Sequence, residues 1–212
     1  MTDRPQIPRL GERFAAAVAY ATAHHAEQRR KGTNIPYSAH LLGVTALVLE
    51  DGGDEDDAIA GMLHDVVEDG GGPEALEHIR AEWGERVAFI VDACSDTDEI
   101  PKPPWRQRKE DYLAHLAGAR DDVLRVSLAD KLHNARALQA DYRAVGPNLW
   151  KRFNTAARTA AAQRWYYRSL VEVFAVRRPG RQADELAWTV GELERLVGEQ
   201  EGDAALTEGP GS

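Results

Sequence analysis

The residues most able to do chemistry lie in the segment LHDVVED at residues 63–69. His64 and Asp65 are adjacent, and Glu68 and Asp69 follow one turn later if this segment is helical. Imidazole nitrogens and carboxylate oxygens bind divalent metal ions and also act as acids and bases in hydrolysis. The segment therefore indicates a metal site with acid or base groups beside it.

Two more side chains are candidates to complete this site. His40 lies upstream in IPYSAHLLG, and Asp130 lies downstream in SLADKLHNARAL. The segment around His64 is otherwise apolar, and a buried carboxylate is costly unless a cation compensates its charge. A divalent ion would supply that cation, and the mixed nitrogen and oxygen ligands suit Mn²⁺, Fe²⁺ or Zn²⁺ better than Ca²⁺. The predicted ligands are His40, His64, Asp65 and Asp130.

Each of these residues also has an ordinary structural explanation. A lone His40 is typical of a hydrogen-bonded core histidine, and a lone Asp130 is typical of a helix cap or an ion pair. The metal prediction therefore depends on the set and its order along the chain. The other histidines, including His25, have no comparable partners, and we assign them to surfaces or packing.

Helical periodicity runs through nearly every segment, and β-branched runs between tight turns are missing. We predict an all-α fold, a single bundle of about eight to ten helices. The predicted helices cover roughly residues 9–30, 36–50, 54–68, 73–82, 85–94, a segment from about 105, 121–142, 148–176 and 183–199.

The length of 212 residues predicts one domain over residues 9–199, between flexible tails at 1–8 and 200–212. No apolar run is long enough to span a membrane, no signal-peptide pattern is present, and Cys94 has no cysteine partner, so we expect a cytoplasmic protein. The net charge of −9 argues against nucleic-acid binding, which depends on neutralising phosphates with Lys and Arg.

Charge is unevenly distributed along the chain. Residues 51–69 contain many acidic side chains and no Lys or Arg, whereas residues 143–181 are strongly basic. A cation site beside an anion site would produce this polarity, and so would a helix with a solvated basic face. The sequence leaves both interpretations open.

Four strings in a fixed order carry a family resemblance: RRKGTNIPYSAHLLGV at 29–44, AGMLHDVVEDGG at 60–71, IRAEWGERVAFIVDACSDT at 79–97 and VSLADKLHNARAL at 126–138. With them, the chain resembles the hydrolase domain of the RelA/SpoT-homologue family, particularly its small stand-alone alarmone hydrolases. The resemblance implies an HD-domain fold and a Mn²⁺-dependent enzyme. That enzyme would remove the 3′-pyrophosphate from guanosine tetra- or pentaphosphate.

The resemblance also implies a role for individual positions. The implied metal ligands are the four side chains already named. The residues implied to orient and activate water are Glu68 and Asp69. Those implied to contact the nucleotide are Arg30 and Lys31, and those implied to line the nucleoside pocket are Asn134 and Arg136. The expected partner is a small nucleotide, and a homo-oligomer is possible.

Two other functions are compatible with the same ligands. One is an HD-type phosphohydrolase for a different nucleotide, such as NADPH, an adenosine alarmone or a nucleoside monophosphate. The other is a nucleotide-sensing module without catalysis. The intact pair Glu68 and Asp69 argues against the second, because a sensor does not need groups that activate water.

Overall fold

The computed structural model describes residues 9–95, 101–153 and 159–207, with the backbone alone for residues 201–207. These residues form nine α-helices, a π-helical turn and a 3₁₀-helix. The α-helices are α1 (Glu12–His24), α2 (Ser38–Glu50), α3 (Glu55–Leu63), α4 (Gly72–Trp83), α5 (Glu85–Cys94), α6 (Trp105–Gly118), α7 (Asp121–Val145), α8 (Ala160–Arg177) and α9 (Arg181–Thr207). The prediction of an all-α fold is confirmed for these residues, whose extended backbone pairs only in an isolated bridge between Arg29 and Pro36.

The described chain divides into two compact units. The first contains the residues up to Lys102 together with Ala119–Asp130. The second contains Pro103–Gly118 together with the residues after Asp130. The prediction of one domain over residues 9–199 remains a prediction.

The core of the first unit includes a close contact between α2 and α3. Leu41 and Val44 of α2 and Met62 of α3 are fully buried, and burial of such a side chain contributes roughly 1.5–3 kcal/mol. Gly61 of α3 faces α2, and a Cβ at this position would lie 3.2 Å from Cγ2 of Val48. The missing side chain therefore lets the two helices approach closely. Helix α2 carries His40 near its start, and α3 ends directly before His64.

The first helix is shorter than predicted. It ends at His24, and residues 25–37 form a loop instead of the expected extension to residue 30. In this loop the Arg30 N–H donates to the Ile35 carbonyl and the Tyr37 N–H donates to the Gln28 carbonyl. Gly32 has a φ of 72°, a left-handed conformation that glycine adopts without strain and that reverses the chain.

A buried carboxylate anchors the start of α3. Asp54 and Asp57 cap the helix reciprocally: each side chain accepts the backbone N–H of the other, at 3.0 Å from Asp57 and 3.2 Å from Asp54. The Asp57 side chain is almost fully buried, and it binds the guanidinium groups of Arg86, at 2.6 Å, and Arg125. Burial raises the pKa of Asp57, and the two arginines oppose this effect. The network ties α3 to α5 and α7.

In the second unit, α8 packs against α6 and α9. The single helix predicted over 148–176 is wrong, because Gly146–Arg152 form a 3₁₀-helix and α8 begins only at Ala160. The Thr159 side chain accepts the Ala162 N–H and caps α8, while residues 154–158 lie outside the described residues. Helix α9 continues to Thr207, so residues 200–207 are helical where a flexible tail was predicted.

Several cations of the basic segment have acidic partners within this unit. Arg152 lies 2.8 Å from Asp141, and Arg168 binds Glu194 through two hydrogen bonds. For Arg152 and Arg168, these pairs favour the interpretation of the basic segment as a charged helix surface over that of an anion site. Among the described helices, none combines the length and apolar character needed to cross a bilayer.

We expect Asp57→Ala to lower the free energy of unfolding by about 3 kcal/mol, because it leaves two arginines without their buried partner. Urea denaturation followed by circular dichroism measures this value. The comparison variant is Asp54→Ala, which removes the exposed half of the capping pair together with its exposed ion pair to Arg86 and should cost about 1 kcal/mol. Equal losses in the two variants would show that the buried network adds nothing to the cap.

Candidate metal centre

Four side chains from α2, from the residues after α3 and from α7 meet in the first unit. The Nε2 atom of His40 lies 3.2 Å from Oδ1 of Asp130 and 3.4 Å from Oδ2 of Asp65. The Nε2 atom of His64 lies 3.0 Å from the same Asp65 oxygen and 3.7 Å from Oδ1 of Asp130. The two imidazole rings are 5.2 Å apart. Each imidazole Nε2 nitrogen therefore lies within 3.7 Å of one oxygen from each carboxylate, which suits a shared metal ion.

The orientation of His64 fits a metal ligand. Its Nδ1 atom lies 2.8 Å from the carbonyl oxygen of Gly61 and donates its proton there. In the neutral imidazole, the form that binds a metal, the proton on Nδ1 leaves a lone pair on Nε2. The Nε2 atom is buried and has no hydrogen bond of acceptable geometry, although an Asp65 oxygen lies nearby. A buried nitrogen without a partner is costly, and a cation would satisfy it. His40, His64 and Asp65 thus form a group that could hold a metal ion.

The electrostatics of this cluster favour positive charge. Burial opposes protonation of His64, but the charges of Asp65 and Asp130 overcome it and hold the pKa of His64 well above its usual range. Burial likewise opposes ionisation of Asp65, but His64 and His40 hold the pKa of Asp65 well below its usual range. A cation bound between these groups would compensate the same carboxylate charge.

Tyr37 is a site residue that the sequence did not single out. It precedes α2, and its hydroxyl donates to Oδ2 of Asp65 at 2.7 Å. Burial and the carboxylates of Asp65 and Asp69 raise the pKa of Tyr37, so its hydroxyl keeps its proton and acts as a donor. The sequence signal that could have identified Tyr37 is its position three residues before His40, because residues at this spacing share one face of a helix. Partners of this kind orient metal ligands.

Glu68 and Asp69 lie on a π-helical turn, Val67–Gly71. The prediction of one helix over 54–68 is wrong, because α3 ends at Leu63. Asp69, just beyond the predicted helix, has non-helical φ and ψ angles of −90° and 37°. Both side chains are exposed. Oδ2 of Asp69 accepts from Nε2 of Gln28 at 2.7 Å, and Nζ of Lys102 lies 3.5 Å from Oε1 of Glu68. The two carboxylates therefore face solvent beside a buried cluster.

Arg30 and Lys31 lie on the loop between α1 and α2. The guanidinium of Arg30 lies over the Tyr37 ring, 5.7 Å from its centre. The Thr33 hydroxyl donates to the Arg30 carbonyl at 2.9 Å and fixes the turn. Lys31 is exposed. Through Tyr37, the loop that bears this basic pair is joined to Asp65.

Asn134 and Arg136 lie on the part of α7 that belongs to the second unit. Within that unit the Nε atom of Arg136 donates to Oε1 of Glu185 at 2.9 Å. The assignment of these two residues to a nucleoside pocket remains a prediction.

A family model described as the HD domain matches residues 17–161. The chain belongs to the HD-domain family. The matched residues include the His64–Asp65 pair, the two flanking candidate ligands and the turn that follows.

Curated proteins are similar to more than half of this chain. A Synechocystis protein named "Probable guanosine-3′,5′-bis(diphosphate) 3′-pyrophosphohydrolase" is 39% identical over 127 residues, which are 58% of this chain and 16% of that protein. The Xenopus tropicalis protein named guanosine-3′,5′-bis(diphosphate) 3′-pyrophosphohydrolase MESH1 is 36% identical over 126 residues, which are 58% of this chain and 68% of that protein. The aligned residues thus span about a sixth of the first relative and about two thirds of the second.

The fold has a counterpart among solved structures. A metazoan orthologue of SpoT, described as hydrolysing ppGpp with a role in starvation responses, superposes with a TM-score of 0.65. The superposition covers 87% of this chain and 95% of that protein at 24% sequence identity. At this identity the similarity supports the fold.

The π-helical turn has a strict steric requirement at Gly71. A Cβ there would lie 2.5 Å from both the Val66 carbonyl oxygen and Cβ of Ala75. We expect Gly71→Ala to lower the free energy of unfolding by about 2 kcal/mol, because the turn must move to relieve the overlap. The measurement is urea denaturation, with Gly191→Ala as the control, since a Cβ at Gly191 would meet nothing within 4 Å. A Gly71→Ala protein as stable as the parent would contradict this packing.

Proposed function

We propose that this chain is a metal-dependent hydrolase that removes the 3′-pyrophosphate from guanosine tetra- or pentaphosphate and releases GDP or GTP. The observation that carries the proposal is a cluster of two imidazoles and two carboxylates beside a turn with two exposed carboxylates. The names of the Synechocystis and Xenopus relatives support the substrate class. A small nucleotide is therefore the proposed binding partner.

The proposed metal is Mn²⁺, with Fe²⁺ or Zn²⁺ as the other ions that suit the ligands. It would be held by His40, His64, Asp65 and Asp130. When bound, a divalent ion acidifies water and offsets negative charge on phosphoryl oxygens. Tyr37 would hold Asp65 in place, and the Gly61 carbonyl would keep the Nε2 lone pair of His64 available.

Glu68 and Asp69 are the proposed bases. The oxygen of water forms a bond to the phosphorus attached to ribose O3′, the bond from that phosphorus to O3′ breaks, and O3′ leaves with the electron pair. One carboxylate accepts a proton from the water, and a proton is returned to O3′. Substrate and water are thereby converted to GDP or GTP and pyrophosphate.

Substrate charge is the second requirement of this reaction. Arg30 and Lys31 lie on a loop fixed by internal hydrogen bonds, so their cationic groups can neutralise phosphates with little rearrangement. We propose that they contact the nucleotide and that Asn134 and Arg136 contact the nucleoside. The cytoplasmic location and a homo-oligomer remain predictions.

A panel of nucleotides tests the substrate. With added Mn²⁺, we expect release of pyrophosphate from guanosine tetra- and pentaphosphate, measured by chromatography of both products. The panel includes NADPH, an adenosine alarmone and a nucleoside monophosphate as substrates of other HD-type enzymes. Release of orthophosphate from one of these, without pyrophosphate from the guanosine compounds, would reject the proposed reaction in favour of that alternative.

Variants separate the metal ligands from the bases. We expect Glu68→Ala and Asp69→Ala to keep Mn²⁺ binding in isothermal titration calorimetry but to reduce kcat roughly 100-fold or more, because each removes a proton acceptor. His64→Ala should lose both binding and activity, since it removes a buried ligand. The control is His78→Ala, an exposed histidine that should leave both intact. Unchanged kcat in both carboxylate variants would refute their role.

A further inference from the structure

A chain of hydrogen bonds leads from a buried histidine to Asp69. The Nδ1 atom of His25 lies 2.5 Å from Oε1 of Gln28. The Nε2 atom of Gln28 in turn donates to Oδ2 of Asp69 at 2.7 Å. Both donors belong to the loop after α1, whereas Asp69 lies on the π-helical turn, so the chain fastens the turn to the loop.

The direction of this chain follows from the chemistry of its members. An ionised carboxylate only accepts hydrogen bonds, so Gln28 must turn its NH₂ group toward Asp69. Its carbonyl oxygen then faces His25 and requires a donor, so the proton of the imidazole lies on Nδ1. The other nitrogen, Nε2, is buried without a hydrogen-bond partner and therefore sets no competing requirement on the tautomer. With its proton on Nδ1, His25 donates to Gln28 in the same orientation of the amide that Asp69 selects.

The histidine itself is rigidly held. His25 is 3% exposed, and its ring stacks on Tyr37 with the ring centres 5.0 Å apart. Tyr37 donates its hydroxyl to Asp65. The backbone N–H of Tyr37 also donates to the Gln28 carbonyl at 3.0 Å. One loop therefore contacts both a proposed metal ligand and a proposed base.

Asp69 needs such a contact because its own surroundings restrain it little. Its side chain is exposed, and Gly70 and Gly71 follow it directly. An exposed carboxylate on a glycine-rich turn samples several rotamers. A hydrogen bond to one oxygen selects among them and leaves the other oxygen available to water.

We propose that Gln28 is a positioning residue for Asp69 and that His25 holds the carbonyl end of Gln28 through its Nδ1 proton. The inference rests on the proposed role of Asp69 as a base and adds that Asp69 must be held by the Gln28 amide to act efficiently. Loss of the contact should lower kcat and leave KM nearly unchanged, because Asp69 acts on water and not on substrate binding.

A double-mutant cycle tests whether Gln28 acts through Asp69. We expect Gln28→Met, which keeps length but removes the donor, to lower kcat about tenfold or more with guanosine tetraphosphate and Mn²⁺. In the Asp69→Ala background the same change should alter kcat by less than about twofold, since the contact no longer exists. A full further loss in that background would mean that Gln28 acts elsewhere and would overturn the inference.

The matched control is Gln107→Met. Gln107 donates to Oδ1 of Asp111 at 2.8 Å, a contact of the same kind on an exposed helix face. The Gln107→Met variant should therefore keep kcat within about twofold of the parent value. If Gln28→Met does not fold, Gln28→Glu keeps the shape of the side chain and replaces the donor with oxygen. A parent-like kcat in the Glu variant would also overturn the inference.

Failure of the proposed reaction can be distinguished from failure of this inference. A parent protein that releases no pyrophosphate contradicts the reaction. Crystal structures of the parent and of Gln28→Met then report on the contact directly. An Asp69 carboxylate that moves in the variant supports the inference, and one that keeps its place overturns it.

Discussion

Two carboxylates and two imidazoles meet within an apolar helical unit, and they need positive charge between them. Burial opposes the charged forms of both His64 and Asp65, whereas the opposite charges around them raise the pKa of His64 and lower the pKa of Asp65. Breaking a buried ion pair leaves a costly uncompensated charge. A bound cation would compensate the carboxylate charge, and the packing of the surrounding helices keeps these four groups together.

Small residues make that packing possible. Gly61 allows α3 to approach α2, and its carbonyl also accepts the proton of His64. Gly71 allows the chain to fold tightly against Val66 and Ala75 after α3 ends. The same segment therefore places a buried candidate ligand and, a few residues later, two exposed carboxylates. A continuous α-helix would have kept these groups on one regular face.

The loop over residues 25–37 is the second support of the site. It contributes the Tyr37 hydroxyl to Asp65 and the Gln28 amide to Asp69, and it also bears Arg30. Groups that orient a ligand or a base matter because a small displacement of a reacting group greatly lowers the reaction rate. This loop joins the proposed contacts to substrate, to metal and to water within one hydrogen-bonded segment.

The sequence alone determined the helical class and the identity and order of the candidate ligands. These follow from local patterns: apolar residues at helical spacing predict helices, and the helix starting at residue 85 ends at Cys94 as expected. The four candidate side chains do lie together, while their role as ligands stays a prediction. Boundaries were less predictable, since the loop after His24 is closed by hydrogen bonds that no periodicity encodes.

Only the tertiary structure decided which atoms meet. Gln28 and Asp69 are 41 positions apart, and Tyr37 and Asp65 are 28 apart, so their contacts depend on how the helices pack. His25, which the sequence assigned to packing, gained its hydrogen-bonding role in the same way. Residue types set what chemistry is possible, whereas close packing between distant segments sets which groups are near enough to perform it.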